Sequence, residues 1–401
     1  MNKKISLGAA IAFMAVIAAI TFGITMMMSM NRFNKLVLNV KNREEMYTKI
    51  SDVDRELRQN FVDSEKIDEE VLLDEISKGF VNGLGDKYAS YLTKDQYERR
   101  LKELSGKEKG IGIEALKDES GYLLIKKIYD TSPAKNSGMQ INDHIVKINE
   151  FDVKTLSYDN ATKLMLGDIG TKLKLIYRRD GVDTPIELIR KDITIPYVEF
   201  QMIEKNAHIR IIDFNERTQS QFKEAINKAI SSNATGLILD VRNNKGEDVK
   251  AATEMLNSLL PAGNLGTFVD KNGKKTSIAT SDKYSVDIPM VTLINGKTAS
   301  AAELFAATLT DYNKSSCIGT KSFGKGSFQE LIPLTDGSAV NVTTKRFLSG
   351  LNKEIEGVGI KPKYEIKLTP EQEQILETST NSADDAQLTK AIEVVNSLKA
   401  E

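Results

Sequence analysis

Apolar positions divide the 401-residue chain into stretches of different period. From Ile5 to Met28 the chain carries no charge and is almost wholly apolar. At about 1.5 Å per residue this run predicts roughly 36 Å of helix, enough to cross about 30 Å of hydrocarbon. It ends in Ile24-Thr25-Met26-Met27-Met28-Ser29-Met30. No small-x-small exit follows, so the reading is an uncleaved signal anchor rather than a leader that is removed.

From 31 to 104 the apolar positions fall at helical spacing, as in Tyr47, Ile50, Val53 and Leu57, and again in Ile67, Val71, Leu72, Ile76 and Phe80. Gly83 and Gly85 break the pattern, and Thr93 with Asp95-Gln96 opens another helix. This region reads as a helical spacer or dimerisation arm.

Between 105 and 190 the period shortens. Strands are predicted at Gly121–Ile128, Asp143–Asn149 and Lys172–Arg178. A short helix closed by Gly138 follows Ser132-Pro133, and a longer one runs over Ser157–Leu166. From 191 to 370 strands and helices alternate: His208–Phe214, a helix Ser220–Ile230 with Phe222, Ile226 and Ile230 on one face, and the apolar run Gly236–Val241. A helix Lys250–Leu260, the strand Met290–Ile294 and a helix Ser300–Leu309 follow. Continuous apolar strands alternating with helices predict an α/β core with buried parallel strands. The tail, 371–401, is charged and helical with a polar break at Ser379–Ala383, and could pair with a second subunit.

Composition narrows the chemistry. Net charge is -1, Trp is absent and no basic stripe is present, so nothing supports nucleic acid as a partner. The single cysteine, Cys317, excludes an intrachain disulfide and reads as a small buried hydrophobe. Only His144 and His208 could serve a histidine-based triad or metal site; they are far apart in sequence and neither is a natural partner for Ser300. No metal or cofactor is expected. Lys3 and Lys4 flank the apolar run on one side and Arg32, Lys35, Lys41 and Arg43 on the other, so charge leaves its orientation open. The leader-like start places the bulk of the chain outside the cytoplasm, as a single-pass membrane protein.

Two units carry candidate chemistry. In Ile294-Asn295-Gly296-Lys297-Thr298-Ala299-Ser300-Ala301-Ala302-Glu303 a buried strand ends, small residues turn, and a helix begins near Ser300. A hydroxyl there sits where free N–H groups favour a developing oxyanion, though serine is also the ordinary helix cap. In Phe323-Gly324-Lys325-Gly326-Ser327-Phe328-Gln329, glycines on both sides of a lysine let the backbone turn tightly and send the side chain inward.

Together these units resemble the carboxyl-terminal processing (tail-specific) serine proteases. The resemblance runs over about 75–365. It takes in Gly83-Leu84-Gly85-Asp86-x-Tyr88, Asp240-Val241-Arg242-Asn243-Asn244, Asp336-Gly337-Ser338-Ala339 and Thr343-Thr344. The order of elements in 105–190 resembles a PDZ domain, with Gly110, Ile111, Gly112 and Ile113 in the place of its carboxylate-binding loop. The resemblance implies Ser300 as nucleophile, Lys325 as general base and Gln329 as the residue that orients the lysine. It also implies the N–H groups of Ala301 and Gly246 as oxyanion donors, and a structural Asp311. A lysine base must lose its proton near neutral pH, which burial favours and an adjacent carboxylate opposes, so Asp311 should not touch Lys325.

The chain departs from the family at Lys245-Gly246-Glu247, where proline and two glycines are usual, at Ala302 and at Ile141-Asn142-Asp143. It also lacks an arginine before Gly167. The expectation is a membrane-anchored endopeptidase that takes proteins with apolar C-termini. The alternative is a PDZ-bearing scaffold with weak or no turnover.

Overall fold

The computed structural model describes residues 7–106, 108–282, 286–378 and 385–398. The chain falls into two compact units, 1–76 and 77–401. Lys3, Lys4 and the polar break at Ser379–Ala383 lie outside the described residues.

In the first unit a single helix runs from Leu7 to Asn60. The helix passes without interruption from the apolar run into the region beyond residue 30, because charged residues of high helix propensity simply take over from apolar ones. Its exposed stretch Ile11–Asn34, mean hydropathy 2.3, is long and apolar enough to cross a membrane. Further along, Ile50, Val53 and Leu57 face Leu72 and Ile76 of the helix Glu69–Asn82 across a small apolar cavity of about 200 Å³. The two helical stripes read from the sequence therefore meet each other.

Residues 113–189 form an antiparallel sheet in the order Ile113–Lys117, Leu123–Ile128, His144–Ile148, Lys172–Arg179, Val182–Ile189. Leu123, Ile125, Ile145, Ile148 and Leu173 make its core, fully shielded from water. Ser132 and Ser157 cap the helices Pro133–Asn136 and Tyr158–Met165 through their hydroxyls. The last strand was not anticipated, although Asp180-Gly181, both at positive φ, is a strong hairpin signal.

The α/β core is a sheet ordered Val198–Ile203, Asn206–Ile211, Gly236–Asp240, Met290–Ile294, Ser315–Gly319, Tyr364–Glu365, parallel after its first pair. Gly236–Asp240 and Met290–Ile294 are buried at every position, as their unbroken apolar runs require. The helices Thr218–Ser231, Val249–Asn257 and Ala301–Asp311 share one hydrophobic core with the sheet. Phe222, Ala225, Ile226 and Ala229 form the buried stripe of the first, while Ile230 is exposed. At about 100° per residue Ile230 lies roughly 80° off the Phe222 line, and Ala229 takes its place.

The tail helix Ala386–Ser397 packs Leu388, Ala391, Val394 and Val395 against Ile238, Val291, Leu293 and Ile318. The face expected to pair with a second subunit is thus used within the chain. A second, antiparallel sheet joins Ser90–Leu92, Ser327–Pro333, Ala339–Leu348, Gly263–Asp270 and Lys275–Ser281. This sheet carries the strand that follows Lys325.

Candidate active site

Two parallel strands, Gly236–Asp240 and Met290–Ile294, end side by side, and their carboxyl-end loops are stitched together. Asn295 Nδ2 donates to Asn243 Oδ1 at 2.7 Å, and Asn243 N–H returns a bond to Asn295 Oδ1 at 3.0 Å. Thr298 Oγ1 donates to Val241 O at 2.8 Å, and Ala299 N–H to Asn244 O at 3.0 Å. The Asp240–Asn244 motif thus supports the turn that delivers Ser300. Behind it, Arg242 binds Asp240, Gln387 and Asp385 in full burial, joining the tail helix to the strand end.

Ser300 itself has φ 54° and ψ -119°. A non-glycine residue there is strained, by about 1–3 kcal/mol, and a plain helix cap adopts extended backbone instead. A strained serine at a sharp strand-to-helix turn is the geometry of an activated nucleophile. The residue is buried, 6% exposed.

The loop bearing Lys325 docks on this turn through Phe323 N–H, which donates to Thr298 O at 3.0 Å. Gly324, at φ 89°, makes the turn. Glu303, fully buried on the helix after Ser300, fastens the two segments. Its Oε1 accepts from Ser322 Oγ and from Gly324 N–H, and its Oε2 accepts from the backbone of Ser300 and Lys325. Burial raises the Glu303 pKa, and the four donors oppose that shift.

Ser300, Lys325, Gln329 and Gly246 all line one cavity of about 530 Å³ with an apolar wall that includes Leu104, Val249 and Leu331. The Lys325 amine is half-buried and lies 4.6 Å from the centre of the Tyr88 ring. Burial pulls its pKa below the ordinary lysine range, as does Arg100, while Glu247, Glu356 and Asp86 pull it back up. Tyr88, in the Gly-Leu-Gly-Asp-x-Tyr motif, was not read as a site residue. Asp86 of the same motif accepts from Tyr88 N–H and Thr343 N–H, which seats the ring.

Gln329 does not bond Lys325 in this arrangement: its amide donates to Ser327 Oγ at 3.2 Å and Thr343 Oγ1 at 3.0 Å. The two expected oxyanion donors are both engaged. Gly246 N–H donates to Asn244 Oδ1 at 2.8 Å, and Ala301 N–H to Gly246 O at 3.4 Å. Gly246, at φ 68°, is packed so closely on the turn that a Cβ would lie 2.2 Å from Ala299 O.

Asp311 keeps away from Lys325. It accepts from Ser349 Oγ and Leu351 N–H and pairs with Lys353, bracing the turn after the strand Ala339–Leu348. His208 bonds the buried Asp240 and His144 bonds Asp118; neither lines the cavity. Cys317 is buried, and its thiol is pushed up to about 11.

In the 113–189 module, Ile111 and Ile113 are buried in its core, and the Gly110–Ile113 segment leads into the strand Ile113–Lys117. Tyr158 Oη crosses from the helix Tyr158–Met165 to donate to Ala115 O at 3.1 Å, along the strand edge where a peptide would add.

Residues 205–366 match peptidase family S41, and residues 110–189 match the PDZ domain. The carboxy-terminal processing protease CtpA of Bacillus subtilis (strain 168) is 34% identical over 308 residues, covering 76% of this chain and 66% of that protein. A probable CtpA-like serine protease of Staphylococcus aureus (strain COL) is 31% identical over 309 residues, 75% of this chain and 62% of the other. The chain therefore spans a little under two thirds of the length of these relatives. A putative S41 protease from Bacteroides fragilis NCTC 9343 is similar in fold, with a TM-score of 0.50 at 16% identity over 86% of this chain and 97% of that one. With the matched segments enclosing both the strained serine and the half-buried lysine, the chain belongs to the carboxyl-terminal processing serine protease family, with a PDZ domain ahead of its S41 protease domain.

Proposed function

We propose that the chain is a Ser/Lys endopeptidase, anchored in a membrane by the apolar part of its first helix, that cuts extracytoplasmic proteins selected by their C-termini. The observation that supports the reading is that Ser300, held at φ 54°, lines the same cavity as Lys325, whose amine burial makes a weaker holder of its proton. Neutral Lys325 takes the proton of Ser300 Oγ as that oxygen attacks the scissile carbonyl carbon. The oxyanion forms beside the N–H groups of Ala301 and Gly246. The C–N bond then breaks, and the leaving amine takes the proton from Lys325. Water, deprotonated by the same amine, hydrolyses the acyl-serine. Gln329 turns its amide to the neutral amine when substrate is bound.

Substrate enters through the PDZ domain. Its C-terminal carboxylate meets the N–H groups of the Gly110, Ile111, Gly112, Ile113 loop, and its chain lies beside Ile113–Lys117 once the Tyr158 bond to Ala115 O yields. A second reading, a scaffold with slow turnover, draws on the engaged N–H of Gly246. Peptides with apolar C-termini, incubated with the full chain in detergent, distinguish the two. Cleavage that disappears in Ser300→Ala and Lys325→Ala supports the peptidase, as does an activity that rises with pH at a midpoint below that of ordinary lysine. No cleavage and no acyl adduct on Ser300 refutes it.

A further inference from the structure

Among the charged side chains lining the cavity, Glu247 is acidic, and Arg100, Lys245, Lys297 and Lys325 are basic. A carboxylate in such company has more than one cation to choose from, and an acid that pairs with Lys325 would strengthen that amine's hold on its proton. Glu247 Oε2 takes Arg100 Nη2. Lys325 makes no ion pair among the described residues and lies over the Tyr88 ring instead.

Arg100 is well placed to hold that acid. It stands on the helix Lys94–Ser105, capped at its start by Thr93 and Gln96, and its Nη1 is steadied by Glu103 at 3.2 Å. The end of the helix is tied to the protease domain by Glu216 N–H, which donates to Leu104 O at 3.3 Å. The guanidinium and Glu247 are each about one-third exposed, 33% and 30%, so their pairing is only partly screened by water. A guanidinium keeps its charge over the whole working pH range, whereas an amine would not.

We propose that Arg100 is a positioning residue for the general base: by claiming the Glu247 carboxylate, it stops that acid from pairing with Lys325. The inference rests on the peptidase reading for its consequence in turnover, but not for its test. The other acids near Lys325 are already engaged. Glu356 accepts from Gly326 N–H at 2.8 Å, Asp86 from the backbone of Tyr88 and Thr343, and Glu303 meets only the Lys325 backbone. Asp213, close enough to feel both members of the pair, accepts from Phe214 N–H. Glu247 is therefore the acid whose partner matters, and removing Arg100 turns it toward the amine.

The test reads Lys325 directly, by the pH dependence of its reaction with an amine-acylating reagent, quantified by mass spectrometry on the full chain. Arg100→Gln should cut Lys325 labelling at about pH 8 by about tenfold, one decade of protonation. Glu247→Gln should label at least as fast as wild type, and the Arg100→Gln, Glu247→Gln double variant should return to within about twofold of it. Peptidase activity of Arg100→Gln should fall about tenfold at about pH 7 and recover at high pH, which a purely structural role would not produce. Unchanged labelling in Arg100→Gln, or a double variant as slow as Arg100→Gln, overturns the proposal. Should Arg100→Gln fail to fold, the reversed pair Arg100→Glu, Glu247→Arg takes its place. That pair must label like wild type, and slow labelling overturns the proposal. Ser300→Ala should label normally; absence of cleavage by the unaltered chain, with these labelling shifts intact, would refute the peptidase reading alone.

Discussion

The backbone N–H of Ser300 and the backbone N–H of Lys325, 25 residues apart in sequence, both donate to Glu303 Oε2, at 3.0 and 2.8 Å. One buried carboxylate thus ties the backbones of the two residues together without touching either side chain.

Glu303→Gln replaces an acceptor of four bonds by a group with one acceptor oxygen and an amide that faces donors. Stability should fall by about 2 kcal/mol, the cost of leaving buried donors unpaired. The small shift between Ser300 and Lys325 should lower kcat/KM by about a hundredfold. Thermal unfolding and peptide hydrolysis check the two effects separately.

The strain at Ser300 predicts that inactive variants differ in stability. Ser300→Gly relieves the φ of 54°, while Ser300→Ala keeps it. Both should be inactive, with the glycine variant more stable than the alanine variant by about 1 kcal/mol. Equal unfolding midpoints would mean that the turn stores no strain.

Gly246→Ala should be among the most damaging small substitutions in the loop. The new methyl would meet Ala299 O at 2.2 Å and Ala301 N at 2.4 Å, on a backbone at φ 68°. We expect loss of activity and at least about 2 kcal/mol of stability, since the backbone on both sides must shift. Glu247→Ala, one residue on, should leave the fold stable by the same melting assay.

Burial and the nearby Glu247 raise the Asp213 carboxyl to about 6, with Phe214 N–H and Arg100 opposing. The folded chain then binds this proton more tightly than the unfolded chain. The contribution of this group to stability is greatest below about pH 4 and is lost as pH rises through about 6. Asp213→Asn should gain about 2 kcal/mol at about pH 7, after discounting for residual solvent, and almost nothing at about pH 4. Melting at both values tests the sign.

Much of this protein was legible before any coordinates. Strands that are buried on both faces must be continuously apolar, so Gly236–Asp240 and Met290–Ile294 announce themselves. Helices start where a hydroxyl can cap them, as at Thr93, Ser132 and Ser157. Short motifs pointed to Ser300 and Lys325, because a tight turn leaves its mark in small residues and glycine. Other features were missed for equally physical reasons. The apolar periodicity of Phe222 and Ile226 does not say where the helix has rotated by Ile230, and the strand Val182–Ile189 was passed over although Asp180-Gly181 marks its hairpin.

Long-range contacts are where the sequence was silent. Nothing in residues 94–105 announces that Arg100 will meet Glu247, or that Tyr88 will lie under Lys325. Local composition determined the elements and their caps, since those follow from the conformational preferences of neighbours in the chain, while the roles expected of Ser300 and Lys325 came from the family resemblance of their motifs. Tertiary structure alone decided which charges face one another, which N–H groups are already occupied and how far burial lowers the amine's affinity for a proton. Those quantities depend on distance through space and on exclusion of water, and neither is encoded by separation along the chain.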